Sequence, residues 1–112
     1  MSNEVADTLR EGLGVLRERG WFQRGESRRR SAGYACALIA LAGHRTLNDD
    51  AVEVFADVIR EQWPDRWVIE APVRENSTCL AITDFNDHPD TTQDDVERAF
   101  EKAICRAEEM GL

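Results

Sequence analysis

Six side chains between residues 84 and 95 carry oxygen or nitrogen atoms at the spacing of a calcium-binding loop. They fall at positions 1, 3, 5, 7, 9 and 12 of such a loop: Asp84, Asn86, His88, Asp90, Thr92 and Asp95. The sixth position of that loop needs glycine for a sharp turn, and the last needs a bidentate glutamate. This chain has Pro89 and the shorter Asp95 there. We therefore expect no metal ion and no other cofactor.

The same cluster allows a hydrolytic interpretation. Asp84, Asp87, His88 and Asp90 supply carboxylates and an imidazole, which can hold a metal ion or transfer a proton. A small metal-dependent hydrolase is therefore one alternative function.

Cysteine chemistry is the next possibility that the sequence raises. The chain has three cysteines, Cys36, Cys79 and Cys105, and no two of them have Cys-x-x-Cys spacing. An odd number of cysteines without this spacing is typical of neither a disulfide framework nor a zinc site. Cys36 and Cys105 are predicted to lie on apolar helix faces, where a cysteine is usually a small, inert apolar residue. The sequence therefore predicts no catalytic residue.

A turn that begins a helix explains the segment better than either site. Asn86 and Asp87 are residues that bond their own backbone in turns, and Pro89 disfavours helical geometry just before it. Thr92, with Asp95 three residues later, resembles a capping box in which Asp replaces the usual Glu. Acidic residues then lie at the positive end of the helix that follows.

Helices are predicted to position these residues. Val5, Leu9, Leu13 and Leu16 share one helical face and predict a first helix from about Glu4 to Arg19. The apolar run "YACALIALA" fits a buried helix over residues 32–42, although its periodicity does not exclude a strand.

Two further apolar faces predict the third and the last helix. Val52, Phe55, Ile59 and Trp63 predict a helix from about Asp49 to Trp63, which Pro64 ends. The last helix, over residues 93–110, has a longer apolar face: Val96, Phe100, Ala103, Ile104, Ala107 and Met110.

The region between these two helices is ambiguous. "RWVIEA" (66–71) has the residues of a short strand, and "STCLAITDF" (77–85) fits either its partner strand or a short helix, with helix favoured. The predicted fold is a mainly α, single-domain (1–112) compact bundle of about four helices. A minimal β pair between the third and the last helix is the open alternative.

The charge of the chain is negative and unevenly distributed. Residues 1–47 contain 8 Lys/Arg and 5 Asp/Glu, a net charge of +3, whereas residues 48–112 contain 6 and 17, a net charge of −11. The total of −8 disfavours direct binding to nucleic acid or anionic lipid. The longest apolar run (34–42) is too short to span a bilayer, and the N-terminal residues are unlike a signal peptide, so we expect a cytoplasmic protein.

Basic residues cluster in the predicted loop 20–33. Arg24, Arg28, Arg29 and Arg30 are candidates for contact with an acidic protein surface, although a solvated loop explains them as well.

Two motifs together resemble a family of small bacterial and phage proteins of unknown function. They are "GWFQRG" (20–25) and "FNDHPDTTQDDV" (85–96), and between them lies the cysteine-containing, alanine-rich segment "GYACALIALAG" (33–43). Family members tend to carry Trp-x-Gln-Gly early and Trp-Asn-Asp-x-Pro-x-x-Thr late; here Arg24 interrupts the first motif and Phe85 replaces the tryptophan of the second. The resemblance implies one structural or functional unit that contains Trp21, Gln23, Cys36, Phe85, Asn86, Asp87, Pro89 and Thr92. We expect Asn86 and Asp87 to bond the backbone near Gln23 and so to tie the two motifs together.

The family offers no activity to transfer, so the functional expectation rests on these physical arguments. We expect a non-enzymatic module that binds a protein partner, either monomeric or as a homodimer. The alternatives are an acidic mimic of nucleic acid, which would inhibit a DNA-binding protein, and the hydrolase described above.

Overall fold

The computed structural model describes residues 4–23, 40, 49–66 and 77–111. These residues form a mainly helical globule of four helices: α1 Glu4–Arg19, α2 Asp49–Gln62, α3 Ser77–Asp87 and α4 Gln93–Met110. The described ranges contain no β-strand. The predicted fold class is therefore confirmed.

Most of the predicted boundaries agree with the structure. α1 matches its prediction at both ends, and α2 ends one residue earlier than predicted. The favoured helix at residues 77–85 is confirmed as α3, which continues to Asp87. The alternative in which this segment pairs as a strand is wrong. Apart from Arg66, a bend residue, the other candidate strand (66–71) lies outside the described residues.

The predicted helix at residues 32–42 is described at one position only. Ala40 is helical and fully buried, and it belongs to the same core as α1 and α2. The basic cluster Arg24, Arg28, Arg29 and Arg30 lies outside the described residues, as does Cys36.

α2 lies at the centre of the bundle because apolar residues cover most of its circumference. It packs against α3 and α4, while α1 packs most extensively along α4. The rings of Phe55 on α2 and Phe100 on α4 meet at a centroid distance of 4.7 Å. The ring of Trp63, just after α2, contacts the ring of Phe85 on α3 at a centroid distance of 5.0 Å. Such contacts between large apolar side chains account for much of the stability of a small core.

The segment after α1 turns back into the core. Gly20 has a φ of 83°, a left-handed conformation that glycine adopts at little cost, and its N–H donates to the Leu16 carbonyl at 2.9 Å. The chain then buries both Trp21 and Phe22, each of which is 8% exposed. Both rings therefore anchor this segment in the core.

Two predictions for α4 are wrong. Cys105 is exposed, because it lies two positions from both Ala103 and Ala107, whose side chains form the buried stripe on the opposite face. Met110 is 60% exposed instead of closing the apolar face. Since Glu108 and Glu109 are exposed as well, the last turn of α4 extends beyond the core.

Candidate functional site

The two motifs of the sequence meet at a buried cluster of hydrogen bonds. We call it the Asn86 cluster; it consists of Trp21, Phe22 and Gln23 after α1, with Asn86 and Asp87 at the end of α3. Trp21 Nε1 donates to Asn86 Oδ1 at 2.7 Å. Asn86 Nδ2 donates to the Phe22 carbonyl at 3.1 Å and to Asp87 Oδ1 at 3.0 Å. The expected bond from Asn86 to the backbone beside Gln23 is therefore present.

Burial makes these bonds important for stability. Asn86 is only 2% exposed, and both of its amide hydrogens and its oxygen have partners within the chain. An unpaired polar group at such a position would cost about 1–3 kcal/mol.

The prediction that Asn86 and Asp87 form a turn is wrong, because α3 includes both residues.

Gln23 extends the cluster toward the end of α3. Its Nε2 donates to the carbonyl oxygens of Asn86 at 3.1 Å and His88 at 2.8 Å. Carbonyl groups at a helix C-terminus lack partners within the helix, so the Gln23 amide caps α3 from outside. Residues 21–23 thus form hydrogen bonds with α3 through both their side chains and their backbone.

A second polar cluster lies at the start of α4. The predicted capping box is confirmed: Asp95 N–H donates to Thr92 Oγ1, and Thr92 N–H donates to Asp95 Oδ2, both at 3.2 Å. Arg66 Nη1 donates to the same carboxylate oxygen at 3.0 Å and to Thr91 Oγ1 at 3.2 Å. Asp95 therefore caps α4 and also holds the segment that follows α2.

Four of the six candidate metal-binding side chains are engaged in structural hydrogen bonds: Asn86, His88, Thr92 and Asp95. Asn86 bonds Trp21, and Asp95 bonds Arg66. His88 Nδ1 accepts the Asp90 N–H at 3.1 Å within the turn. Across the part of the chain that is described, no three His, Cys, Asp or Glu side chains form a group able to hold a metal ion.

The remaining motif residues that the structure describes are Phe85, Pro89 and Thr92. Phe85 is fully buried against Trp63, so the position where the family usually has tryptophan is a packing position. Pro89 and Thr92 are exposed at the turn between α3 and α4. The side chain of Cys79 lies outside the described residues.

Charged side chains link α1 to α4 on the surface. Arg17 Nε donates to Glu97 at 2.6 Å, and Arg17 Nη2 donates to Glu101 at 2.9 Å. The hydrogen bond with Glu97 is the main cause of the raised pKa of Arg17, and the negative charges of Glu97 and Glu101 raise this pKa further. The like-charge pair on α4 is thus bridged by a cation from another helix.

Two members of these clusters, Arg66 and Thr91, are not predicted from the sequence. Arg66 follows the proline that ends α2, and nothing in its neighbourhood indicates a partner 29 residues away. Thr91 precedes the helix cap and is only 4% exposed, although a second threonine in a polar turn suggests exposure.

A model for a family of unknown function (DUF6197) matches residues 1–106. The chain belongs to this family. No curated protein and no solved structure is significantly similar to it. None of the described helices has the length and hydropathy to cross a membrane.

Proposed function

We propose that this chain is a non-catalytic, protein-binding module of bacterial or phage origin, and that its partner presents a basic surface. One observation carries the proposal: polar atoms of the motifs that suggest chemistry are engaged within the fold. Asn86 is fully hydrogen-bonded, Gln23 caps α3, and Asp95 holds Arg66 and the cap of α4. The outer faces of the helices are then the surfaces best able to contact another molecule.

The described surface favours contact through charge. The full chain contains 14 Lys/Arg and 22 Asp/Glu, a net charge of −8. Among the described residues, Met110 is the only large apolar side chain that is exposed. A surface with so little apolar area recognises a partner mainly by electrostatic complementarity, which increases the association rate and the specificity.

α2 offers the most uniform acidic surface. Over residues 50–62, where burial is described, its exposed side chains are Gln62 and four carboxylates, and we call these four the α2 acidic strip: Asp50, Glu53, Asp57 and Glu61. They follow one another by three, four and four residues, so they lie in a line about 4.5–6 Å apart along the helix axis. Asp57 pairs with Arg60 at 3.3 Å, and Glu61 pairs with Arg106. Asp50 and Glu53 have no ion-pair partner within the described ranges, so they are the two members of the α2 acidic strip most available to a partner.

The linear order of the α2 acidic strip also supports a second candidate, the mimic of nucleic acid. In that case the partner is a DNA-binding protein, and duplex DNA competes with the strip for the same basic site. The hydrolase alternative, which uses Asp84, Asp87, His88 and Asp90, lacks comparable support. Asp87 Oδ1 accepts a hydrogen bond from Asn86, and His88 Nδ1 accepts one within a local turn.

A retention experiment tests the proposal. Tagged wild-type protein is immobilised, bacterial lysate is passed over it, and retained protein is eluted by stepwise salt and identified by mass spectrometry. We expect one stoichiometric partner, released between low and moderate salt because screening weakens exposed charge contacts. The variant Asp50→Asn/Glu53→Gln should retain at most a tenth of that partner.

The matched control removes the same amount of charge from another helix. Glu4→Gln/Glu11→Gln neutralises two exposed carboxylates on α1 and should retain the partner as the wild type does. Equal losses in both variants would mean that net charge, not the α2 acidic strip, is responsible. Failure of wild-type protein to retain any stoichiometric partner would contradict the proposed function.

A further inference from the structure

An open groove runs between α2 and α4. Its volume is about 470 Å³, which lies in the range of clefts that bind small ligands. Val58 and Gln62 line it from α2, and six residues line it from α4: Arg98, Glu101, Lys102, Cys105, Arg106 and Glu109. These six include all three cations of α4, although the helix as a whole is acidic.

The charges that line the groove are only partly balanced by other side chains of the fold. Glu101 and Arg106 form ion pairs with side chains of α1 and α2, respectively. Arg98, Lys102 and Glu109 are exposed and have no ion-pair partner in the described part of the chain. Two positive charges and one negative charge in the groove are therefore available to a ligand.

Arg98 and Lys102, which we call the α4 basic pair, lie four residues apart on the same side of α4. Like charges at this spacing on a helix repel each other. The corresponding acidic pair of the same helix, Glu97 and Glu101, is bridged by Arg17 of α1. No carboxylate within the described ranges bridges the α4 basic pair in that way. An anion bound between its two side chains would supply the missing bridge.

We propose that the groove binds the carboxyl terminus of a peptide, with the terminal carboxylate held by the α4 basic pair. The Arg98 guanidinium can donate two parallel N–H bonds to a carboxylate, and Lys102 adds a second positive charge. Capture of a terminal carboxylate is a recurring mode of peptide recognition. A phosphate group fits less well, because it carries almost two negative charges and two glutamates line the same groove.

Glu109 determines what the other end of the peptide carries. It lies nine residues beyond the midpoint of the α4 basic pair, about 13 Å along the helix axis. About four residues of extended peptide span that distance. The peptide therefore has a basic side chain three positions before its carboxyl-terminal residue, and this side chain contacts Glu109.

This inference does not depend on the proposed binding of a basic partner, because Asp50 and Glu53 are not among the residues that line the groove. The two proposals can therefore fail separately. The contacts in the groove are exposed and charged, so the affinity should be modest and should fall when salt is added.

A nuclear magnetic resonance titration of isotope-labelled wild-type protein at low ionic strength tests the inference. The probe is the tetrapeptide acetyl-Lys-Ala-Ala-Ala with a free carboxyl terminus. We expect saturable shifts of the amide signals of Lys102 and Cys105, both in the groove. The same peptide with an amidated terminus should bind more than about tenfold more weakly, because it loses its contacts with both members of the α4 basic pair.

Neutral variants test the carboxylate end of the peptide. Arg98→Gln and Lys102→Gln should each weaken binding of the probe about fivefold, since each removes one exposed charge contact. Arg19→Gln is the matched control, because it removes the same charge from an exposed position of α1 that does not line the groove. This control should bind the probe as wild type does.

Charge reversal tests the other end. Glu109→Lys should bind the probe about fivefold more weakly than wild type, because it places like charges together. The same variant should bind acetyl-Glu-Ala-Ala-Ala more tightly than wild type does. The positions of the remaining amide signals show whether each variant keeps the fold.

Three results would overturn the inference. Absence of saturable shifts at millimolar concentrations of the probe would exclude the peptide site. Equal binding of the free and the amidated peptide would exclude recognition of the carboxylate. Inorganic phosphate that shifts the same signals at a lower concentration than the probe would assign the groove to a phosphate-bearing ligand instead.

Discussion

Replacement of Asn86 by alanine is expected to lower the free energy of unfolding by about 3–5 kcal/mol. The substitution leaves the Trp21 indole N–H and the Phe22 carbonyl without their partner in a buried place, and each lost partner costs about 1–3 kcal/mol. It also removes side-chain volume from the core. For a chain of this size, the melting temperature should fall by more than about 10 °C. Chemical denaturation followed by circular dichroism measures the change.

The neighbouring residue Asp84 provides the matched control. It lies on α3, only half-buried, and takes no part in the Asn86 cluster. Asp84→Ala should change the free energy of unfolding by no more than about 0.5 kcal/mol. If Asn86→Ala is as stable as Asp84→Ala, the Asn86 cluster does not hold the fold together.

Gly12 and Gly14 are expected to respond in opposite directions when each is replaced by alanine. A Cβ atom at Gly12 would lie 2.8 Å from Phe100 Cε1 and 2.9 Å from the Ala40 carbonyl oxygen. Phe100 is fully buried against Phe55, and the second contact is with backbone, so neither can move easily. Overpacking of this kind costs about 1–3 kcal/mol, and we expect Gly12→Ala to lower stability by an amount in that range.

Gly14→Ala, on the same helix, separates packing from helix propensity. A Cβ atom there meets no other group within 4 Å. Alanine is favoured over glycine inside a helix by about 1 kcal/mol, so this variant should be more stable than wild type. A stabilising Gly12→Ala would show that α1 does not pack as closely as the structure has it.

The sequence predicted the helices well because apolar periodicity records which faces are buried. The four-residue steps of α1 and the capping box of α4 are local signals, and both are present in the structure. The periodicity of residues 77–85 did not decide between helix and strand, because a short buried helix and a short buried strand are both apolar. In the structure this segment is the helix α3, and it packs against α2.

The candidate site was predictable in part. The motif residues Trp21, Gln23 and Asn86 are brought together as the two motifs suggested. The chemistry was harder to anticipate, because the spacing of polar residues along the chain does not show where their side chains point. Asn86 was expected in a turn, but it lies in the last turn of α3 and points into the core.

The central claim is that the Asn86 cluster stabilises the fold and is not the surface that binds a partner. The most direct test is partner retention by Trp21→Phe, measured well below its melting temperature. This substitution removes the indole N–H that Asn86 Oδ1 accepts and keeps an aromatic ring in the core. We expect a lower melting temperature but the same partner, retained in the same amount and eluted at the same salt as from wild type. Loss of that partner by a variant that circular dichroism shows to be folded would contradict the account and would place the binding site at the cluster itself.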